Sequence, residues 1–133
     1  MRISGDLVDE IVAHAREDLP NECCGMVGGV DGEARTVYRT RNAFESPLRF
    51  DVHPSDLFRV TEREIPEAGE ELLAIYHSHP NSEAYPSQTD INLAEGWPDP
   101  LWVICSLADP QAPVVRGFAL RDGGVEEVDL AGD

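Results

Sequence analysis

Lysine is absent from this 133-residue chain, and all ten of its basic residues are arginine. Without lysine the chain cannot form a Schiff base or hold phosphates with the lysine of a P-loop. The 26 acidic residues outnumber the arginines and give a net charge of −16 at pH 7. Because surfaces that bind nucleic acid or anionic membranes neutralise phosphates with cations, this composition argues against both classes of partner.

The sequence also lacks a disulfide framework, a thiolate zinc motif and a long apolar segment. Its three cysteines (Cys23, Cys24 and Cys105) are odd in number, and none belongs to a C-x-x-C pair. The opening residues contain no hydrophobic signal core, and no apolar run approaches the roughly 20 residues of a membrane span. A length of 133 residues with 41% apolar residues suits one globular domain over residues 1–133. We therefore expect a cytoplasmic enzyme or binding module.

Apolar periodicity predicts helices and strands that do not alternate strictly. Helical spacing predicts a first helix over residues 7–19, and the turn signal Asp31-Gly32 predicts a hairpin. The other predicted elements are strands at residues 50–52, 72–77, 101–107, 114–120 and 125–128 and helices that begin at residues 53–56 and span residues 89–95. This pattern favours one α/β domain with a mixed or mostly antiparallel sheet.

His77 and His79 end an apolar run that is typical of a buried strand. Side chains two residues apart in a strand point to the same face, so the two imidazoles can converge on one cation. Asp90 stands after a short loop at the predicted start of a helix, where the returning chain can add a carboxylate. Two imidazoles and one carboxylate suit zinc, and three protein ligands leave the fourth tetrahedral position for water. The sequence therefore predicts a zinc site of the catalytic kind.

A metal-dependent hydrolase also needs a proton-transfer group and a group that stabilises the oxyanion. Glu22 is the candidate base, because it stands between the first helix and a glycine-bearing strand that could face the metal. Ser87 is the candidate donor to the oxyanion. Both have structural alternatives: Ser87-x-x-Asp90 is also a capping pattern, and an acid such as Glu22 after a helix is commonly solvated.

The remaining histidines and cysteines are interpreted as structural. His14 falls near the polar side of the first helix and is expected to be solvated, while His53 stands at the start of the second helix. Adjacent Cys23 and Cys24 are typical of packing residues on a strand. A Cys–His hydrolase that uses one of these two thiols stays open as an alternative.

The order and spacing of the candidate site residues resemble the JAMM (JAB/MPN) zinc metalloprotease family. Ten residues separate His79 from Asp90, as in the motif of that family. The segments that carry the resemblance are Glu22-Cys-Cys-Gly25, Arg41-Asn42-Ala43, Tyr76-His-Ser-His79-Pro80 and Ser87-Gln-Thr-Asp90. They are similar in particular to the short prokaryotic Mec-like peptidases, which act on the sulfur-carrier protein CysO.

This resemblance implies the cytidine-deaminase-like MPN fold of the α/β class, with a curved mixed sheet flanked by helices. It implies His77, His79 and Asp90 as ligands of Zn²⁺. Glu22 would be the general acid and base, and Ser87 would stabilise the oxyanion. The substrate would be a ubiquitin-like sulfur-carrier protein, cleaved after its C-terminal Gly-Gly with release of cysteine in a cysteine biosynthesis route.

Two other functions are compatible with the same resemblance. One is a catalytically inactive MPN scaffold that binds a partner protein. The other is a deubiquitinase-like isopeptidase that cleaves conjugates linked through lysine side chains.

Overall fold

The structure is a computed structural model, and it describes residues 1–132. Helices cover both faces of one six-stranded sheet. The elements in chain order are α1 (Gly5–Glu17), β1 (Cys24–Val30), β2 (Glu33–Thr40), α2 (Pro54–Phe58), a π-helix (Arg59–Glu64), α3 (Ile65–Glu67), β3 (Glu71–His79), α4 (Gln88–Ala94), β4 (Leu101–Ser106), β5 (Val114–Arg121) and β6 (Gly124–Val128).

The sheet is mixed, with the strand order β2-β1-β3-β4-β5-β6. Strands β3 and β4 are parallel, and every other neighbouring pair is antiparallel. A parallel pair needs a crossover connection, and α4 lies in the connection between these two strands. The expected α/β class and the expected mixed sheet flanked by helices are therefore confirmed.

Two apolar clusters fill the space on either side of the sheet. One cluster joins Ile11 and Ala15 of α1 to the face of the sheet that carries Tyr76. The other joins Val60 and the helices around it to the opposite face, where Trp102 is fully buried. Because β3 and β4 are covered on both faces, their sequences are nearly continuous apolar runs rather than alternating ones.

Most predicted elements are present, and β3 is longer than predicted. It extends from Glu71 to His79, so both histidines belong to the strand itself. The hairpin at Asp31-Gly32 is confirmed, since β1 and β2 pair in antiparallel register. No helix within residues 1–132 is both long enough and apolar enough to cross a membrane.

The strand predicted at residues 50–52 is wrong. Residues 41–53 contain only one isolated bridge, between Asn42 and Val52. The side chain of Asn42 bonds to the main chain of this loop, and the ring of Phe50 packs on His77 instead of joining a strand face. Local side-chain hydrogen bonds of this kind compete with a sheet ladder.

Candidate metal centre and catalytic site

Strand β3 places the imidazoles of His77 and His79 on one face of the sheet. Ser78 points to the other face, where its Oγ accepts a hydrogen bond from the Cys23 N–H at 2.8 Å. The Ser78 N–H in turn donates to the Cys23 carbonyl at 3.2 Å. The residue between the two histidines therefore ties β3 to the start of β1, while the histidines themselves stay free to meet a ligand.

A capping box at the start of α4 orients Asp90. The Asp90 N–H donates to Ser87 Oγ at 3.1 Å, and the Ser87 N–H donates to Asp90 Oδ2 at 2.9 Å. The same Oδ2 atom faces both histidine rings. The capping interpretation and the ligand interpretation of Ser87-x-x-Asp90 are therefore both compatible with one geometry, because the cap fixes the carboxylate that the site uses.

Three potential ligand atoms form a nearly equilateral triangle. His77 Nε2 lies 3.1 Å from His79 Nε2 and 3.1 Å from Asp90 Oδ2, and His79 Nε2 lies 3.0 Å from Asp90 Oδ2. In a tetrahedral zinc site with bonds of about 2.0–2.1 Å, two ligand atoms stand about 3.3 Å apart. All three residues are buried. The donor set and its spacing therefore fit a divalent metal such as zinc.

Neighbouring groups fix the orientation of the two rings. The His79 Nδ1–H donates to the Glu83 carbonyl at 2.8 Å, which turns Nε2 toward His77 and Asp90. The ring of Phe50 stacks on His77, with 4.4 Å between centroids and 22° between planes. His77 Nδ1 is buried without a hydrogen-bond partner in the part of the chain that the structure describes.

Burial and mutual hydrogen bonding set the charges of the three candidate ligands. Burial lowers the pKa of His77, so this ring is neutral and able to ligate. Burial by itself would raise the pKa of Asp90, but hydrogen bonds from His77 and His79 hold that pKa well below its usual range. Burial also opposes the charge on His79, and its hydrogen bonds to Asp90 and to the Glu83 carbonyl outweigh this effect and raise its pKa. The site therefore holds an ionised carboxylate.

Glu22 is buried and is not a solvated acid. It is 4% exposed, and its Oε1 atom is buried without a hydrogen-bond partner within residues 1–132. Burial raises the pKa of Glu22 to about 8, the charge of His79 opposes that rise, and the charge of Asp90 adds to it. The carboxyl therefore shares its electrostatic surroundings with two of the three candidate ligands.

Ser87 retains a donor after it has capped α4. Its Oγ accepts the Asp90 N–H, and a hydroxyl that accepts one hydrogen bond still has its own proton to give. The hydroxyl therefore has the chemistry that an oxyanion donor needs. Its use in catalysis stays a prediction.

The structure argues against a cysteine nucleophile. Cys23, Cys24 and Cys105 are all buried, and none forms a disulfide. Burial raises the pKa of Cys24 to about 12, and its Sγ contacts Thr40 Oγ1 at 3.3 Å. Burial raises the pKa of Cys23 further. At neutral pH such thiols contain almost no thiolate, which is the nucleophilic form.

Sequence reasoning missed two residues that support the site. The sequence predicts Phe50 as part of a strand, but its ring covers His77. Asn42 belongs to a segment that carries the family resemblance, and its side chain bonds to the Glu22 carbonyl at 3.1 Å. An asparagine that follows a strand and precedes a proline-containing loop is typical of a side chain that bonds to nearby main chain, and this was the available signal.

Comparisons with known proteins agree with this geometry. A family model described as prokaryotic homologs of the JAB domain matches residues 4–120. The chain is 39% identical over 127 residues to a CysO-cysteine peptidase of Mycobacterium tuberculosis, and the aligned region covers 94% of this chain and 86% of that protein. It is 36% identical over 114 residues to a desampylase of Haloferax volcanii, with 80% of each chain covered.

A solved structure has the same fold over nearly the whole chain. The solution structure of protein DSY2949 from Desulfitobacterium hafniense superimposes with a TM-score of 0.90 at 34% identity. The match covers 99% of this chain and 92% of that one.

Proposed function

The chain belongs to the family of prokaryotic JAB-domain homologues and is a hydrolase, and we propose that it is a zinc-dependent peptidase of ubiquitin-like sulfur carriers. The proposed bond is the amide after the C-terminal Gly-Gly of the carrier, and the proposed product is cysteine, which would complete a cysteine biosynthesis route. The observation that supports this most directly is the convergence of His77, His79 and Asp90 beside the buried carboxyl of Glu22. The relative named for CysO-cysteine supports the choice of substrate.

In this proposal His77, His79 and Asp90 hold the zinc ion. When bound, zinc supplies a Lewis acid that polarises a carbonyl group and makes water acidic near neutral pH. Within residues 1–132 the group that could hold a metal consists of three residues, and Ser78, which points to the other face, is bonded to the Cys23 main chain. Such a three-ligand set is typical of catalytic rather than structural zinc sites.

Glu22 is the proposed proton carrier. Its unpartnered Oε1 is able to accept a proton from the attacking water and then pass it to the leaving amine. Burial raises the pKa of Glu22 to about 8. A nearby dication would favour the ionised form and lower this value toward neutrality, which is the range in which a group both accepts and donates protons efficiently.

Ser87 is the proposed donor to the oxyanion. Its hydroxyl oxygen is held by the Asp90 N–H at 3.1 Å, so its position is fixed before substrate arrives. A preorganised donor of this kind stabilises the transition state without a reorganisation cost during the reaction.

The compartment and the domain extent belong to the same proposal. All three cysteines are buried and unpaired, which suits a reducing cytoplasm. We take residues 1–133 to act as one catalytic domain, since the family match and the sheet extend over most of that length.

A cleavage assay with two kinds of substrate tests the proposal. One substrate is a sulfur carrier that ends in Gly-Gly-Cys, and the other carries the same Gly-Gly tail linked to a lysine side chain. Intact mass, read with and without a chelator, should show metal-dependent loss of cysteine from the first substrate. Faster cleavage of the second would assign the chain to isopeptidases, and no cleavage of either by zinc-loaded protein would contradict the proposal.

A matched pair of variants tests the role of Glu22. Glu22→Gln should lower kcat by about 100- to 10,000-fold, because it removes a general acid and base, while the zinc content stays unchanged. Glu10→Gln makes the same change at an exposed position of α1 and should have the activity of the unaltered protein. Full activity of Glu22→Gln would remove Glu22 from the mechanism without affecting the assignment of the substrate.

A further inference from the structure

Asn42 is a buried amide whose four hydrogen-bonding positions are all filled. Its Nδ2 donates to the Glu22 carbonyl at 3.1 Å and to the Arg49 carbonyl at 3.0 Å. Its Oδ1 accepts from the Phe44 N–H at 3.0 Å and the Asp51 N–H at 3.2 Å. A side-chain amide has two donors and two main acceptor positions, so this one is fully used. It is 8% exposed.

Three of these four contacts stay within the loop of residues 43–51, and the fourth leaves it for Glu22. The main chain of Glu22 receives a second contact from the same loop, because the Glu22 N–H donates to the Ser46 carbonyl at 2.9 Å. Both main-chain polar groups of Glu22 are therefore bonded to residues 42–46. Glu22 itself lies between α1 and β1, where neither a helix nor a sheet ladder fixes its backbone.

The residue after Glu22 is fixed from the opposite side. The main chain of Cys23 exchanges two hydrogen bonds with Ser78, which stands between His77 and His79. The backbone at Glu22 and Cys23 is thus hydrogen-bonded on one side to β3 and on the other side to residues 42–46. Loss of either set of hydrogen bonds would let the Glu22 carboxyl shift relative to the candidate metal ligands.

We infer that Asn42 is a positioning residue that fixes the Glu22 backbone and thereby sets where the Glu22 carboxyl lies relative to His77, His79 and Asp90. This inference rests on the proposed role of Glu22 as the proton carrier. Asn42 acts through the Glu22 main chain and has no role of its own in proton transfer. Its amide joins the loop of residues 43–51 to the Glu22 carbonyl.

Asn42→Ala tests the inference, because a positioning residue should affect kcat much more than KM. A misplacement of a catalytic group by about 1 Å costs up to about 100-fold in rate, so kcat should fall by about 10- to 100-fold. KM should change by less than about threefold, because no substrate contact is removed. The zinc content of the purified variant should equal that of the unaltered protein, since His77, His79 and Asp90 are intact.

Two further variants separate positioning from general loss of stability. Asn42→Asp keeps the shape and the two accepted hydrogen bonds but loses both donated ones, to the carbonyls of Glu22 and Arg49, so its kcat should fall as in Asn42→Ala. Asn21→Ala shortens the asparagine that immediately precedes Glu22 and should leave kcat within about twofold. Assays run well below the melting temperature of each variant, so lost stability alone would not lower kcat.

A double-variant measurement decides whether Asn42 acts through Glu22. In the Glu22→Gln background, Asn42→Ala should lower kcat by less than about twofold, because the group that it positions is already gone. Equal losses in both backgrounds would overturn the inference, and so would an unchanged kcat in Asn42→Ala and Asn42→Asp. Failure of both Asn42 variants to fold would also overturn it, since Asn42 would then serve stability. Full activity of Glu22→Gln would instead contradict the proposed function.

Discussion

Buried histidines lie on both faces of strand β3, His14 of α1 on one face and His77 and His79 on the other. The two groups differ in which polar atoms their ring nitrogens contact. On one face, Tyr76 Oη lies 2.6 Å from His14 Nδ1, and His14 Nε2 lies 3.4 Å from Asp18 Oδ2. Nδ1 of His14 therefore has a hydrogen-bond partner, and Nε2 has a carboxylate nearby. On the other face, His77, His79 and Asp90 direct three ligand atoms at one another within 3.1 Å.

The comparison separates burial from function. His14 and His79 are both 5% exposed, so burial does not distinguish them. The difference is one of arrangement: the two ring nitrogens of His14 face two separate neighbours, whereas Nε2 of His77, Nε2 of His79 and Oδ2 of Asp90 converge on one point where a single cation could bind all three. A convergence of ligand atoms marks a candidate metal site better than a buried histidine does.

The largest expected effect comes from removing one of the converging ligands. His77→Ala or Asp90→Asn should lower kcat/KM by at least about 1,000-fold, because a catalytic metal supplies several kcal/mol of transition-state stabilisation. Both variants should also lose zinc on dialysis. Elemental analysis and the cleavage assay measure the two effects independently.

His14→Leu is the control on the opposite face. It removes a histidine that is as buried as His79, and it should retain zinc and activity within about twofold when assayed below its melting temperature. If His14→Leu lost zinc, or if His77→Ala kept it, the distinction between the two faces would be wrong.

A smaller effect is expected at Ser87, which belongs to the converging group through the cap of α4. Ser87→Ala should lower kcat by about 100-fold through loss of an oxyanion donor. It should also lower the free energy of unfolding by about 1 kcal/mol through loss of the N-cap. Steady-state kinetics and thermal unfolding measure these two losses separately.

Two replacements at Ser87 distinguish the donor from the cap. Ser87→Thr keeps both functions and should keep most of the activity. Ser87→Asp caps the helix but has no proton to donate when ionised, so stability should recover while kcat stays low. Recovery of kcat in Ser87→Asp would show that Ser87 serves only as a cap.

The sequence predicted the convergence of His77, His79 and Asp90 well because its determinants are local. The period of a strand places His77 and His79 on one face, and the cap pattern places Asp90 at a helix start, as the structure shows. The position of Glu22 depends on contacts between distant segments. Its place between the first helix and a glycine-bearing strand made it a candidate, and the structure shows that it is buried and that its pKa responds to the charges of His79 and Asp90.

The errors came from side chains whose partners are distant along the chain. Helical periodicity placed His14 near the polar side of α1, but its ring is buried against Tyr76, 62 residues away. Gly25 makes this contact possible, because an added Cβ there would overlap the Tyr76 ring. Periodicity reports which face of a helix a residue occupies and does not report which side chain from the sheet meets it.

The smallest expected effect is on the free energy of unfolding, and it concerns the contact between His14 and Tyr76. His14→Leu leaves the buried hydroxyl of Tyr76 without a partner, and Tyr76→Phe leaves His14 Nδ1 without one. Each variant should lower the free energy of unfolding by about 1–3 kcal/mol, which is the usual cost of an unsatisfied buried polar group. Chemical denaturation of the single variants and of the double variant measures their coupling.

The double variant should be more stable than the sum of the two single losses predicts, because it leaves no unsatisfied atom. The pH dependence gives a second check. Burial lowers the pKa of His14, so the folded state resists protonation while the unfolded state takes up a proton below about pH 6.5. The stability that His14 contributes is therefore complete above that pH and decreases below it. The difference in free energy of unfolding between the unaltered protein and His14→Leu should become smaller on acidification. Strictly additive losses with a constant gap would mean that His14 and Tyr76 are independent packing residues.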